Sequence, residues 1–252
     1  LEQKEGIKEI HLIDLDFENA VELSSKLTKG IVHPMEDIEN FIGSSDLIVE
    51  AASQKAVSTI LPDAVSRGKD IMILSVGALV DDKLWTSLKE TARKNGSRIF
   101  IPSGAVAGID GIFSGSMADI DCITLTVRKP PVGLSLPSSM SHLAQRLKKL
   151  EEPLTLFEGT AREAVKMFPK NVNVAATIAL AGIGFDRTDV KIIADPGVQR
   201  NKQRIEVRGR FGEMRVEMKN QPSTTNPRTS YMAPLSAIAV IEKLISGIHI
   251  GN

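Results

Sequence analysis

The stretch Asp46–Ala78, DLIVEAASQKAVSTILPDAVSRGKDIMILSVGA, predicts a strand, a helix and a second strand in that order. Two short apolar runs, Asp46–Glu50 and Asp70–Leu74, flank Lys55–Arg67, in which the apolar residues have helical spacing. Strands that are continuously apolar and alternate with helices are typical of a parallel sheet covered on both faces. We therefore predict an α/β fold of the Rossmann type for this part of the chain.

The same alternation continues on both sides of this stretch. Strands are predicted at Ile10–Asp14 and Arg98–Pro102, and helices at Asn19–Leu27 and Asp82–Lys94. A glycine after a last turn that carries Lys or Arg marks a helix end, and this signal occurs at Gly30, Gly68 and Gly96. The parallel sheet is thus expected to extend from about residue 10 to residue 102.

The pattern changes after about residue 104. Helices are predicted at Ala161–Met167 and Val174–Leu180, and strands at Cys122–Val127, Val190–Ala194, Ile205–Arg208 and Met214–Lys219. The last two strands are separated by Gly209–Gly212, which resembles a hairpin turn. Hairpin-connected strands beside segregated helices predict an α+β domain with an antiparallel sheet.

Two further segments complete the division into domains. Lys129–Ser141 is rich in Pro, Ser and Gly and is predicted to be a mobile surface loop. Ser230–Ile245 has a helical pattern and could return to the first domain. We expect one domain to consist of residues 1–105 and 226–252, and the other of residues 106–225.

The composition excludes several classes of protein. The chain has 31 Lys and Arg against 31 Asp and Glu, so its net charge of zero gives no general attraction to nucleic acid or to a membrane. Cys122 is the single cysteine, which excludes an internal disulfide framework and a multi-cysteine metal site, and no metal is predicted. Since neither an apolar run of about 18 residues nor a secretory signal is found, a cytoplasmic protein is expected.

The predicted strand Ile10–Asp14 ends in a carboxylate, which has two interpretations. In a doubly wound fold, an acid at the end of the second strand accepts hydrogen bonds from the hydroxyls of an adenosine ribose. Such a role for Asp14 would favour NAD, because the carboxylate repels the 2′-phosphate of NADP. The alternative is a plain helix N-cap, since Asp16 directly precedes the predicted helix.

No G-x-G-x-x-G motif precedes this strand, although a dinucleotide-binding sheet usually carries that motif after its first strand. The chain begins about ten residues before the strand, and Leu1–Gly6 resembles the end of an amphipathic helix. We therefore expect the first strand and the glycine loop to lie upstream of Leu1, as residues that the sequence in hand does not include; the alternative is a protein without a glycine loop.

Three predicted strands are followed by small residues, at Ala51–Ser53, Ser75–Ala78 and Ser103–Ala105. Ligands of open α/β sheets bind outside the carboxyl ends of the strands, where small side chains let the backbone approach a cofactor. Small residues are also simply suited to turns. As cofactor contacts in the first two loops we expect Ala52, Ser75 and Gly77.

Eight segments resemble those of the L-aspartate dehydrogenase family, in the same order and at similar spacing from about residue 10 to the C-terminus. They are Val49–Gln54, Leu74–Ala78, Ser103–Asp110, Phe168–Thr177, Asp186–Thr188, Ile193–Pro196, Ile205–Gly209 with Phe211 and Gly212, and Asn226–Tyr231. Linked segments of this kind are more specific than a single glycine motif.

The resemblance implies oxidation of L-aspartate to iminoaspartate with NAD or NADP. The imine then hydrolyses to oxaloacetate and ammonia, or passes to quinolinate synthase in NAD biosynthesis. By position in the family's motifs, Ala105 and Asn173 correspond to contacts of the nicotinamide cofactor. The family also implies a dinucleotide-binding domain, a catalytic domain that contributes to dimerisation, a homodimer and a small-molecule substrate.

One position departs from the family. Its catalytic His lies in a segment of the form N-x-H-x-I-E-V, which here is Asn201–Val207, with Gln203 in place of the His. A glutamine amide cannot take up a proton near neutral pH, but it can hold or orient a substrate carboxylate or a water molecule. Gln203 is therefore kept as a candidate catalytic position with a changed role.

Lys170 is the candidate that could replace the His. A desolvated lysine can have a lowered pKa and act as a base, or it can bind a substrate carboxylate as a cation. The alternative interpretation of Lys170 is a solvated residue at the start of a helix. Asn171 and Arg228 are further candidates for substrate binding, and the alternative for Arg228 is an exposed loop charge.

Three functions remain open at this point. The density of matched segments favours an active aspartate dehydrogenase, or a related dehydrogenase of another small amino or hydroxy acid. Gln203 favours a catalytically impaired paralogue that binds dinucleotide and acts as a sensor or partner protein.

Overall fold

The structure, a computed structural model, describes residues 2–131, 134, 136–168, 173–223, 226 and 229–251. The chain divides into two compact units. Unit 1 consists of Leu1–Ile101 and Ile238–Ile250, and unit 2 consists of Pro102–Ala237 and Gly251–Asn252. Of the described residues, none belongs to a helix with the length and apolar character that a membrane span requires.

Unit 1 is an α/β unit whose ladders are all parallel. Its elements are β1 (Ile10–Leu12), α1 (Phe17–Ser24), β2 (Gly30–Val32), α2 (Ile38–Ser44), β3 (Leu47–Glu50), α3 (Gln54–Ser66), β4 (Asp70–Ile73), α4 (Asp82–Asn95) and β5 (Ile99–Phe100). Strands β1 and β2 form one pair, and β3, β4 and β5 form a three-stranded sheet in that order. The Rossmann-type parallel sheet predicted from the sequence is confirmed.

The sequence pattern explains the centre of unit 1. Strand β4 is buried along Ile71–Ile73, as expected for a strand covered on both faces. Helix α4 begins at its N-cap Asp81, whose carboxylate accepts from two backbone N–H groups, and ends at Gly96 in the left-handed conformation. Both ends of this helix agree with the sequence signals.

The interpretation of Gly30 as the end of a helix is wrong. Helix α1 ends at Ser24, and Gly30 is the first residue of β2, where its carbonyl accepts from the Ser24 hydroxyl at 3.0 Å. Strand β2 has only three residues and α2 only seven, so neither is long enough to produce a clear periodicity. Both elements were absent from the sequence prediction.

Unit 2 contains a five-stranded sheet with helices. Its elements are α5 (Ile109–Gly115), β6 (Ile120–Lys129), α6 (Ala144–Lys148), β7 (Leu154–Thr160), α7 (Ala161–Met167), α8 (Asn173–Ala181), β8 (Thr188–Ala194), β9 (Lys202–Gly209) and β10 (Gly212–Lys219). Helix α9 (Met232–Ser246) begins in unit 2 and continues into unit 1, where Lys4 pairs with Glu242 at 2.8 Å.

The sheet of unit 2 has the order β10-β9-β6-β8-β7. Strands β6 and β8 are parallel, and the other pairs are antiparallel, so the expected antiparallel sheet is in fact mixed. The parallel pair arises because the chain passes through α6, β7, α7 and α8 between β6 and β8. Strand β7 and helix α5 were not predicted from the sequence.

The two faces of this sheet have opposite character. On the inner face, Ile123, Leu125 and Val127 of β6 lie beside Ile205 and Val207 of β9, all of them buried. The outer face carries charged residues that form ion pairs, among them Arg128–Asp195, Lys191–Glu158, Lys202–Glu217 and Arg204–Glu217. Strand alternation thus separates an apolar core from a charged surface.

The predicted mobile surface loop Lys129–Ser141 needs a correction in the residues that the structure describes. Lys129 is the last residue of β6, and Ser138–Leu143 form a 3-10 helix. Leu134 and Leu136 are partly buried and pack on a cluster that contains Leu147, Leu156 and Ala194. The apolar leucines within this Pro-rich segment therefore contribute to a small second core.

Candidate active site

In unit 1, a buried carboxylate connects the loops that follow β3 and β4. Glu50, the last residue of β3, is only 5% exposed. Its Oε1 accepts from the backbone N–H groups of Ala52 and Ser53, each at 2.8 Å, and from the Ser75 hydroxyl at 2.8 Å. Its Oε2 accepts from the backbone N–H of Ser75 at 2.9 Å. The four bonds hold the two loops in one arrangement.

The predicted cofactor contacts of unit 1 lie in these two loops. Ala52 is exposed, Ser75 immediately precedes a 3-10 helix at Val76–Val80, and Gly77 is buried inside that helix. Glu50 therefore brings Ala52 and Ser75 together, although it was not itself predicted as a site residue. Nothing in the residues next to Glu50 in the sequence indicates that its carboxylate accepts four hydrogen bonds.

Of the acidic pair after β1, the structure gives the capping role to Asp16, and the role of Asp14 in cofactor binding stays a prediction. Asp16 is the N-cap of α1 and accepts from the Glu18 N–H at 3.3 Å. Asp14 is exposed, and its Oδ1 accepts from the Asp16 N–H at 2.9 Å, which leaves Oδ2 with no hydrogen bond among the described residues. An exposed acid at this point suits a ligand with hydroxyl groups.

In unit 2, a chain of hydrogen bonds links two predicted site residues. The buried Asn220, which follows β10, donates from Nδ2 to the Ala105 carbonyl at 2.8 Å and to Gln203 Oε1 at 3.1 Å. The adjacent Gly104 donates its N–H to the Ser236 hydroxyl at 3.0 Å. Ala105 and Gln203 are thus held through a third residue that sequence reasoning missed.

This chain also fixes the orientation of the Gln203 amide. The Ala105 carbonyl can only accept, so Asn220 must turn its NH₂ group toward it and toward Gln203. Gln203 must then present its oxygen to Asn220, and its own NH₂ group has no hydrogen-bond partner among the described residues. A buried amide whose donors are unused is suited to hold an acceptor such as a carboxylate oxygen.

Gln203 lines a cavity of about 20 Å³ on the inner face of the sheet. The lining residues include Leu125, Val127 and Lys129 from β6, Val190 and Ile192 from β8, Leu134, Phe168, and Val174 and Ala175 from the first turn of α8. This volume holds about one water molecule. The cavity therefore accommodates a small polar group rather than a whole substrate.

Among the described residues that line this cavity, Lys129 is the titratable one. Burial among the apolar lining lowers the pKa of its ammonium group, because desolvation penalises the charged form. Lys129 was placed in a loop by the sequence analysis and was not proposed as a site residue. The two prolines that follow it, Pro130 and Pro131, obscured the end of the strand.

Of the remaining predicted site residues, the structure describes Asn173 alone. Asn173 is the first residue of α8 and is exposed, and its carbonyl accepts from the Thr177 hydroxyl at 3.0 Å. Its neighbours Val174 and Ala175 line the cavity. Lys170, Asn171 and Arg228 lie outside the described residues. No group of three or more potential metal ligands occurs in the part of the chain that is described.

Two family models match the chain. The model described as aspartate dehydrogenase, C-terminal, matches residues 110–244 and so covers most of unit 2. The model described as homoserine dehydrogenase, NAD binding domain, matches residues 14–102, which is nearly all of the first segment of unit 1. The two matches together contain Gln203, Lys129, Asn220 and Glu50.

Two relatives are similar over almost the whole chain. The L-aspartate dehydrogenase of Methanosarcina barkeri is 51% identical over 215 residues, which are 85% of this chain and 79% of the relative. The L-aspartate dehydrogenase of Methanosarcina acetivorans is 49% identical over 242 residues, 96% of this chain and 89% of the relative. Among solved structures, aspartate dehydrogenase from Thermotoga maritima has a TM-score of 0.76 at 24% identity, covering 97% of this chain and 100% of that one.

Proposed function

The chain belongs to the aspartate dehydrogenase family, and we propose that it oxidises L-aspartate to iminoaspartate with NAD or NADP. The observation that carries this function is the 49–51% identity to L-aspartate dehydrogenases over both units. The imine then takes up water and releases oxaloacetate and ammonia, or is passed to quinolinate synthesis. The protein is thereby proposed to be an oxidoreductase that acts on the amine of an amino acid.

The residues of unit 1 fit a dinucleotide. Small, exposed side chains at Ala51–Ser53 follow β3, and the loop after β4 is held in place by Glu50. The exposed Asp14 carboxylate follows β1, where the adenosine ribose is bound in doubly wound folds. We assign the dinucleotide to this unit, through Asp14, Ala52, Ser75 and Gly77. When bound, the nicotinamide accepts a hydride from the substrate carbon.

Unit 2 is assigned the reacting end of the site and the substrate. Ala105 and Asn173 are proposed to contact the nicotinamide, and Lys170, Asn171 and Arg228 to bind the carboxylates of the substrate. Gln203 is proposed to donate from its amide nitrogen to a substrate carboxylate, which the orientation fixed by Asn220 supports. We further propose that the protein is cytoplasmic and forms a homodimer. Light scattering of the purified protein tests the dimer through its molar mass.

The activity is tested by adding L-aspartate and NAD or NADP to the protein and following reduced cofactor by its absorbance. We expect turnover with L-aspartate and much less with D-aspartate. If the protein binds reduced cofactor but does not turn over L-aspartate, the proposed function is wrong, and the cofactor-binding paralogue suggested by Gln203 takes its place. Turnover of another small amino acid alone would give the related dehydrogenase.

An Asp14→Ser variant is expected to shift the cofactor preference toward NADP. Two unit charges 4 Å apart in water repel each other by about 1 kcal/mol, so removing the Asp14 carboxylate should raise the ratio of kcat/KM for NADP over NAD about fivefold. Asp16→Ser is the matched control, because serine keeps the N-cap of α1 and the ratio should not change. An equal shift in both variants would contradict the assignment of Asp14.

A further inference from the structure

We propose that Asn220 is a positioning residue that makes the site selective for a carboxylate. It holds the Gln203 amide with its oxygen toward Asn220, so that the NH₂ group of Gln203 is left for the ligand. The inference deepens the proposed function and rests on it, because Gln203 is there assigned to a carboxylate of L-aspartate. Asn220 acts through Gln203 and is not itself assigned a contact with substrate or cofactor.

The strand register brings Asn220 next to Gln203. Met218 pairs with Gln203 in the antiparallel ladder of β9 and β10, and Asn220 is two residues beyond Met218 on the same face. Diagonal neighbours across a ladder are within reach of each other's side chains. The backbone N–H of Asn220 donates to the Asn201 carbonyl at 2.9 Å, which continues the pairing past the end of β10. The ladder therefore fixes the point from which the Asn220 side chain reaches Gln203.

The Ala105 carbonyl determines which way the Asn220 amide is turned. A carbonyl oxygen can only accept, so the group that faces it at 2.8 Å must be the NH₂ group of Asn220. The same nitrogen donates to Gln203 Oε1 at 3.1 Å. Both of its hydrogens are thereby used, and the sense of each bond follows from the one before it.

Burial makes the reverse orientation of Gln203 costly. Asn220 is 4% exposed and Gln203 is 8% exposed, so water has little access to the bond between them. If the Gln203 amide turned over, two NH₂ groups would face each other, and a hydrogen of Asn220 would lose its acceptor. A buried donor without a partner disfavours that state by about 5- to 150-fold in population.

The fixed orientation decides which ligand groups the site accepts. The NH₂ group of Gln203 has no hydrogen-bond partner among the described residues, so its hydrogens are available to a ligand. A carboxylate oxygen accepts them in a charge-assisted bond, whereas a carboxamide oxygen accepts them without the help of a charge. A ligand group that can only donate meets hydrogens and is rejected. The preference for a carboxylate at this point is therefore set by Asn220.

A simple brace between the Ala105 loop and the sheet is the competing role for Asn220. Asn220→Asp separates the two roles, because it keeps the shape of the side chain and changes the sense of its hydrogen bonds. Burial beside the Ala105 carbonyl raises the pKa of the new carboxyl and favours its protonated form. Its one hydrogen then serves Ala105, and its other oxygen accepts from Gln203, which must turn its own oxygen toward the ligand.

The test measures ligand binding by calorimetry on the full chain saturated with reduced cofactor, so that no turnover occurs. The ligands are L-aspartate, L-asparagine, in which the β-carboxylate is an amide, and L-isoasparagine, in which the α-carboxylate is an amide. For one of the two amides, the preference for L-aspartate should fall at least tenfold in Asn220→Asp. That amide identifies the carboxylate held by Gln203. In a Gln203→Met background, Asn220→Asp should leave the same ratio of Kd values unchanged.

Thr188→Val is the matched control. The buried Thr188 hydroxyl donates to the Gly184 carbonyl at 2.9 Å, so the variant also removes a buried bond to a backbone carbonyl in unit 2. It should lower the melting temperature without changing the ratio. The proposal is overturned if Asn220→Asp weakens all three ligands by one factor, or changes the ratio equally with and without Gln203. An unsubstituted protein that does not turn over L-aspartate refutes the proposed function instead.

A second readout needs neither substrate nor variant. NMR resonance assignment identifies the side-chain NH₂ signals of Asn220 and Gln203 in the unsubstituted protein. The Asn220 hydrogens should exchange with water at least tenfold more slowly than those of Gln203, because both of them are bonded. Gln203 hydrogens that exchange as slowly as those of Asn220 would overturn the proposal, even in a protein that proves inactive, because they would then already have an acceptor.

Discussion

A Glu50→Ala variant is expected to bind reduced dinucleotide at least tenfold more weakly and to lose about 3 kcal/mol of the free energy of unfolding of unit 1. The substitution leaves the donors of Ala52, Ser53 and Ser75 without their acceptor. A donor that loses its partner costs about 1–3 kcal/mol where it is buried, and the donors of the exposed Ala52 and Ser53 can recover a bond to water. The loops then lose the arrangement in which the cofactor meets them.

The measurement uses the single tryptophan of the chain. Trp85 lies in α4 of unit 1, so its fluorescence in urea follows the unfolding of that unit. Asp46→Ala is the matched control, because Asp46 is an exposed acid just before the other end of β3, and its removal should change neither quantity. If Glu50→Ala unfolds at the same urea concentration as Asp46→Ala and binds the cofactor as well, Glu50 does not support the loops.

A Gly209→Ala variant is expected to destabilise unit 2 by about 3 kcal/mol, at the upper end of the cost of overpacking a core. A Cβ at Gly209 would be 2.4 Å from the Asp119 carbonyl oxygen and 2.9 Å from the Ile120 Cα. Both atoms belong to the backbone and cannot turn away. Since Gly209 pairs with Ile120 in the ladder that also pairs Gln203 with Val127, the displacement should reach the site.

Gly111→Ala provides the control within the same unit. A Cβ at Gly111 would meet only the Met214 side chain, with its sulfur at 2.9 Å, and a methionine can adopt another rotamer. We expect Gly111→Ala to change stability by less than about 1 kcal/mol, since alanine also favours the helix. Thermal unfolding by circular dichroism measures both variants. Equal melting temperatures would show that the backbone contact at Gly209 is relieved at no cost.

The parts of the fold that were predictable share one property, which is a pattern repeated over several residues. Helices α3, α4 and α7 were located to within about two residues because their apolar residues recur with a helical period, and strand β4 because it is a continuous apolar run. Strand β2 is too short for such a signal, and α5 contains two of the glycines that normally argue against a helix.

The site was predictable only in so far as it lies in motifs. Ala105 and Gln203 were identified from segments with a family resemblance, and the structure joins them through Asn220. Nothing in the sequence near Asn220 indicates that its side chain reaches a carbonyl 115 residues earlier. Glu50 and Lys129 were missed for the same reason, since a hydrogen-bond partner or an apolar lining is supplied by residues distant in sequence.

Apolar and charged residues alternate along β9, and this alternation determines which register the strand can adopt against β6. A slip of one residue against β6 would turn Lys202, Arg204 and Glu206 into the core and expose Ile205 and Val207. Each ion taken from water without a partner costs several kcal/mol, so the misaligned sheet would be far less stable than the native one. The charges of the outer face therefore make the neighbouring registers of β9 unstable, and the pairing that places Gln203 at its cavity is selected by what must stay in water.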